Sequence, residues 1–184
     1  MRRAVLVAAS LALVTACGGE PAPAPGVDLV PLQRAAALAP CPTGVGDVPH
    51  LVLPCLGGGP DVVLDGPPSG VPTLVNVYGS WCAPCQREMP VLAAFAARAG
   101  DRVALLGVDT EDEPRLALLF AKDVQQHWPA VVDDEGAFLR RYASGPPVTL
   151  FVDGAGRVAF VHRGPFTSLA QVTSAVKQHL GVVV

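Results

Sequence analysis

Charge is scarce in this chain. Only 16% of its 184 residues are Asp, Glu, Lys or Arg, and the formal net charge is −3. Lys and Arg are not in excess, so the electrostatic footprint of a nucleic-acid-binding protein is missing, and Arg140-Arg141 are too few to form a patch. A bilayer-spanning helix needs about 20 apolar residues. The N-terminal run, Ala4 to Ala16, has thirteen uncharged ones. Gly57-Gly58-Gly59-Pro60 is followed by no Gly-Lys-Ser/Thr, which makes it a turn and not a phosphate loop. The four histidines, His50, His127, His162 and His179, have no metal-ligand spacing; no metal or organic cofactor is expected, and His179 is expected at the surface. No internal repeat is present.

Arg2-Arg3 ahead of the short apolar run reads as a secretory signal over residues 1–16. Val14-Thr15-Ala16-Cys17 resembles a bacterial lipobox, which implies cleavage before Cys17 and its lipidation. Loss of Arg2 and Arg3 takes the net charge from −3 to −5. Residues 18–26, rich in Pro, Ala and Gly, read as an extended, semi-rigid linker. A short helix is expected over 29–38, between Pro31 and Pro40. The division expected is therefore a signal at 1–16, a lipidated N-terminus and linker with a short helix at 17–40, and one domain at 41–184.

Trp81-Cys82-Ala83-Pro84-Cys85 follows the apolar run 73–78 and opens a helical pattern through Met89, Leu92, Phe95 and Ala96. A helix N-terminus favours negative charge and lowers a thiol's pKa. A thiolate there attacks disulfides, and a second cysteine three residues on resolves the mixed disulfide. Pro84 fits the first turn, where its missing N–H costs nothing. The competing readings are a zinc half-site and an inert disulfide. Cys-x-x-Cys between a buried strand and a helix favours redox chemistry.

Cys41 and Cys55 lie in a loop-rich region. Outside the cytoplasm thiols tend to be oxidised, so a structural disulfide is expected. Free buried thiols, a second exchange couple, or zinc held by all four cysteines are the alternatives, although the spacing is wrong for a zinc ribbon. Strands are expected at 51–53, 62–64, 73–78, 103–108 and 130–132, with an antiparallel hairpin from 145–153 and 157–162. Helices are expected from the cysteine pair to about residue 100, over 113–127, briefly through 138–142, and at the C-terminus, where Ser168 and Gln171 make a capping box. Pro90 is expected to kink the first long helix. Asp109, Glu111, Asp112 and Glu113 read as a solvated turn and helix start.

That order of elements, α/β with the cysteines at a strand–helix junction, resembles the thioredoxin fold. It is more closely similar to the TlpA/ResA-like extracytoplasmic thiol–disulfide oxidoreductases, over roughly residues 50–181. The motifs carrying the resemblance are Asn76 to Cys85, Arg87-Glu88-Met89-Pro90, Trp128 to Asp133, and Gly145-x-Pro147-x-Thr149-x-x-x-Asp153. The resemblance implies a central mixed sheet flanked by helices, an N-terminal extension, and a strand–helix insertion before Pro147. It implies that Cys82 is the exposed attacking thiolate, Cys85 the buried resolving thiol, and Pro147 a cis-proline facing them. It also implies that Trp81, Ala83, Pro84 and Pro146 border the substrate groove, with Trp81 shielding the pair.

Pro146 departs from the relatives because it offers no N–H to a client strand. Glu88, one turn beyond Cys85 on the same helix face, is expected to raise the thiol's pKa and shuttle its proton. Asn76 stands where cytoplasmic thioredoxins carry a buried aspartate, so it does not titrate. The implied activity is a membrane-tethered, extracytoplasmic reductase of protein disulfides, with apocytochrome c or its maturation machinery as client and a membrane protein as electron donor. The rival readings are a thiol oxidase, a peroxiredoxin-type peroxidase and a redox-inert binding lipoprotein.

Overall fold

A computed structural model describes residues 28–184. The expected signal, the lipidation at Cys17 and the linker lie outside these residues. The first described element is α1 (Val30–Ala36), followed by a small antiparallel pair, β1 (Val52–Leu53) and β2 (Val62–Val63), around the glycine turn. Then come β3 (Thr73–Tyr78), α2 (Ala83–Ala99), β4 (Ala104–Thr110), α3 (Pro114–Asp123) and β5 (Ala130–Asp133). The chain ends with α4 (Leu139–Tyr142), β6 (Val148–Val152), β7 (Val158–Arg163) and α5 (Leu169–Leu180).

The main sheet has the order β5-β4-β3-β6-β7. Its first three strands run parallel, and β6 joins β3 antiparallel and forms the hairpin with β7. The central strand β3 carries apolar residues on both faces because both faces are covered. Val75 and Val77 face the cluster built by β1, β2 and α4, through Leu53, Val62, Phe138 and Leu139. Leu74 and Tyr78 face α2 and α5, through Met89, Leu92, Phe95, Val172 and Val176. Gly107 on β4 admits the Tyr78 ring: a Cβ there would lie 2.8 Å from Tyr78 Cε1.

The mixed sheet flanked by helices is the architecture expected, and β5 with α4 supplies the strand and helix between α3 and β6. α1 lies against α3, with Ala36 buried beside Ala117, Leu118 and Ala121, so packing reaches back beyond residue 41. Asp133 ties the end of β5 to the next helix: its carboxylate accepts the N–H groups of Phe138 and Leu139 and the Thr110 hydroxyl.

Three local expectations need correction. β4 runs on to Thr110, which places Asp109 inside the sheet and fully buried instead of in a solvated turn. The reason is pairing on both sides, with Tyr78 on β3 and Val132 on β5. α3 stops at Asp123, and Gln125 takes a positive φ of 55°. His179 is not free at the surface: its ring stacks on Phe160 at 3.8 Å, where α5 crosses the hairpin.

Candidate active site

The end of β3 delivers the chain into the turn Gly79-Ser80-Trp81, and Cys82 is the N-cap of α2. Cys82 and Cys85 form a disulfide. The Cys85 N–H donates to Cys82 Sγ at 3.2 Å, so the first sulfur occupies the electropositive end of a 17-residue helix. The Pro146–Pro147 peptide bond is cis, and the Pro146 carbonyl oxygen lies 3.7 Å from Cys82 Sγ. Pro147 is buried at the entry to β6, while Pro146 is half-buried.

Cys82 is less open than expected. It is 4% exposed and Cys85 0%. In the oxidised pair its sulfur is turned toward Cys85 and covered by the Pro146 carbonyl. Trp81 is 52% exposed, and its indole N–H reaches the carbonyls of Thr110 and Glu111 at 3.3 and 3.1 Å. The ring is thus anchored on the β4–α3 turn. Ala83 is exposed and Pro84 half-buried.

Beneath the disulfide lies a polar group. Asn76 and Thr149 are cross-strand partners on the α2 face. Asn76 Nδ2 donates to Thr149 Oγ1 at 3.0 Å and to Glu88 Oε2 at 3.2 Å. Glu88 Oε1 accepts the Phe166 N–H at 2.8 Å. Glu88 is 1% exposed. Burial pushes its carboxyl up to about 7, and the hydrogen bonds from Phe166 and Asn76 offset only part of that. At neutral pH such a group both accepts and releases a proton. His162, opposite Thr149 on β7, stacks on Phe166 at 4.0 Å, and burial lowers its pKa.

Cys41 and Cys55 are joined by a disulfide with a Cα–Cα distance of 6.0 Å. Cys55 bridges Val131, and backbone bonds from Leu56 to Ala130 and from Val132 to Pro54 flank it. The staple therefore holds a short segment over the outer edge of β5, an edge otherwise open to foreign strands. Among the described residues no cluster of three or more His, Cys, Asp or Glu has the geometry of a metal site, and no helix is long and apolar enough to cross a membrane.

Sequence reasoning did not find the Phe166 contact or the burial of Asp109. Phe166 lies 78 residues from Glu88, and no local pattern connects them. The alternation of Asn76 and Tyr78 along β3 was the signal available for the polar face.

Residues 45–178 match the Redoxin family model. The thiol-disulfide oxidoreductase ResA of Geobacillus thermodenitrificans is 33% identical over 135 residues, covering 72% of this chain and 73% of its own length. The thiol:disulfide interchange protein DsbE of Xylella fastidiosa is 37% identical over 98 residues. That match takes in 52% of this chain and spans about half the length of the relative, 49%. The structure of MTB dsbF in mixed oxidised and reduced forms superposes with a TM-score of 0.61 at 26% identity, covering 71% of this chain and 98% of that one. A family model that takes in most of the folded chain, a ResA relative matched over most of its length, and a disulfide at the strand–helix junction all agree: this chain belongs to the Redoxin family and has the thioredoxin-like fold of its disulfide oxidoreductases.

Proposed function

We propose that the protein is a membrane-tethered, extracytoplasmic thiol–disulfide oxidoreductase that reduces protein disulfides through Cys82 and Cys85. The observation that carries the reading is the stack of Cys82 at the helix N-cap, Cys85 behind it, and the buried Glu88 one turn deeper. In the reduced protein the Cys82 thiolate attacks one sulfur of a client disulfide, and the other client sulfur leaves as a thiolate. Cys85 then loses its proton to Glu88 and attacks the Cys82 sulfur. The second client thiolate departs, the client has gained two electrons, and Cys82–Cys85 is oxidised. A membrane partner must return those two electrons. The client class that the resemblance implies is apocytochrome c or its maturation machinery.

Direction follows from thiolate stability. Strong oxidants stabilise their reduced form as a thiolate; a buried carboxyl behind Cys85 disfavours ionisation and so favours reduction of clients. The observation on the opposite side is the Cys85 N–H directed at Cys82 Sγ, which favours an oxidase. Equilibration against a glutathione or thioredoxin couple decides between them. The expected potential lies nearer thioredoxin, about −270 mV, than DsbA, about −120 mV; a value at the DsbA end means that the protein installs disulfides. In the same titration two thiols should appear by mass, from Cys82 and Cys85, while the structural Cys41–Cys55 bridge stays closed. Appearance of four together would remove the distinction.

Lipid at Cys17 is the proposed tether. Cys17→Ala should release the protein from the membrane fraction with its redox potential unchanged. Full retention would assign the anchor to the uncleaved apolar segment.

A further inference from the structure

His162 takes no part in the exchange steps, yet its ring lies against the segment that seats Glu88. It stands opposite Thr149 in the β6–β7 register, and cross-strand partners share a face of the sheet. The face is the one that carries Asn76 and is covered by α2. The His162 ring is stacked on Phe166, with the centroids 4.0 Å apart and 14° between the planes. Its Nε2 is buried and has no hydrogen-bond partner among the described residues. An imidazolium would bury an unpaired N–H there, so the ring is neutral, and burial lowers its pKa.

Phe166 belongs to the turn between β7 and α5. The turn leaves the sheet at Gly164, which takes a positive φ of 96°. The Gly164 N–H donates to the Pro147 carbonyl at 3.0 Å, and the Phe166 N–H donates to Glu88 Oε1 at 2.8 Å. One turn therefore touches both the proline pair beside Cys82 and the acid behind Cys85. The Phe166 ring is buried, and Phe151 from β6 meets it edge-on at 6.2 Å. His162 covers its face. Ring and N–H belong to one residue, so a ring clamped by β6 and β7 fixes where the N–H points.

We propose that His162 is a positioning residue for Glu88: its flat ring clamps Phe166 and keeps the Phe166 N–H on the carboxyl that takes the proton of Cys85. The consequence for catalysis rests on the exchange reading above. A hydrogen bond to the charged form of an acid lowers its pKa. The Phe166 N–H thus helps to hold Glu88 at about 7 against the upward push of burial. The other groups of this layer leave that titration alone. Cys82 and Cys85 are closed in the disulfide. Burial raises Tyr78 on β3 well above its ordinary pKa and pushes Asp109 on β4 up to about 9. His179 on α5 lies against Phe160. Arg163 turns to the Tyr142 carbonyl on the other face, and Arg87, Arg98 and Lys177 are exposed.

The oxidised protein gives the cleanest test, because neither active-site thiol titrates. The Glu88 carboxyl carbon and the Phe166 amide, followed by NMR from pH 5 to pH 9.5, should step together near 7 in the wild type. In His162→Ala the Glu88 midpoint should rise by about one unit, and the Phe166 step should shrink. His162→Phe, which keeps a flat ring but cannot titrate, should restore both. In the reduced protein at pH 7, a one-unit rise leaves about a tenth of Glu88 ionised in place of half. Insulin reduction should then fall about fivefold in His162→Ala and stay near wild type in His162→Phe. A midpoint in His162→Ala that is unchanged or lower, a Phe166 step of wild-type size, or failure of His162→Phe to restore them would overturn the proposal. If His162→Ala does not fold, His162→Leu, apolar but not flat, replaces it with the same expected shifts. Should the wild type fail to reduce insulin, the exchange reading falls, and the two titrations still decide whether His162 seats Glu88.

Discussion

Cys82→Ser should lose all disulfide reduction, and Cys85→Ser should attack once and then stall with the client attached. The difference between the two variants is large because the sulfurs have different tasks. Cys82 is the N-cap, receives the Cys85 N–H, and keeps the only exposure of the pair, 4% against 0%. Cys85 lies behind the first turn of α2, fully buried. Without Cys82 no mixed disulfide forms, and insulin reduction should fall to the uncatalysed rate. Without Cys85 the mixed disulfide has no intramolecular attacker, and an external thiol is far slower than one held in place. Non-reducing electrophoresis of Cys85→Ser should therefore show client adducts that dithiothreitol releases. Retained turnover in both variants would remove the Cys-x-x-Cys mechanism. Adducts on Cys82→Ser in place of Cys85→Ser would exchange the two roles.

The second large effect is at Glu88. In the unfolded chain this carboxyl titrates near 4.5, and in the fold near 7. Below pH 4.5 it is protonated in both states and costs nothing. Between these values the unfolded state ionises and the folded state does not, so stability falls as the pH rises. Above 7 both are charged, and the native state carries the whole penalty, about 3 kcal/mol. Glu88→Gln should remove this dependence. Its stability relative to wild type should rise between pH 4.5 and pH 7 by up to ~3 kcal/mol and then level off. The amide still accepts the Phe166 N–H, and Asn76 can turn its own amide to receive the new donor.

The chemistry should move with the charge. In a Cys82→Ser background, the pH profile of Cys85 alkylation should shift about one unit lower in Glu88→Gln, because a nearby carboxylate opposes thiolate formation. A stability difference without that shift would leave Glu88 a buried structural acid and return proton transfer from Cys85 to water. A wild-type curve in both measurements would place Glu88 outside the site.

The parts of this protein that the sequence determined by itself are those written in short-range order. Cys82, Pro84 and Cys85 sit within four positions of one another, and a run of apolar residues before them with helical spacing after them fixes a strand–turn–helix. Glu88 follows from the same periodicity, since one turn of helix carries it from Cys85 to the same face. The two-sided burial of β4 was legible in the run 103–108, which shows no alternation, and the hairpin of β6 and β7 in the glycine turn between them. Asp109 misled for a local reason: followed by Thr110, Glu111 and Asp112, it has the composition of a solvated turn. Only the sheet decided otherwise, because pairing with Tyr78 on one side and Val132 on the other extends β4 past the last apolar residue. The tertiary structure also decided which partners meet Glu88, since Asn76 and Phe166 arrive from two other segments of the chain, and Thr149 from a third holds Asn76 in turn. It set Trp81 on the β4–α3 turn and packed α1 onto α3. Periodicity states which face a side chain occupies, and burial and pKa depend on what the rest of the chain brings to that face; that information is absent from any window of sequence short enough to be read as a pattern.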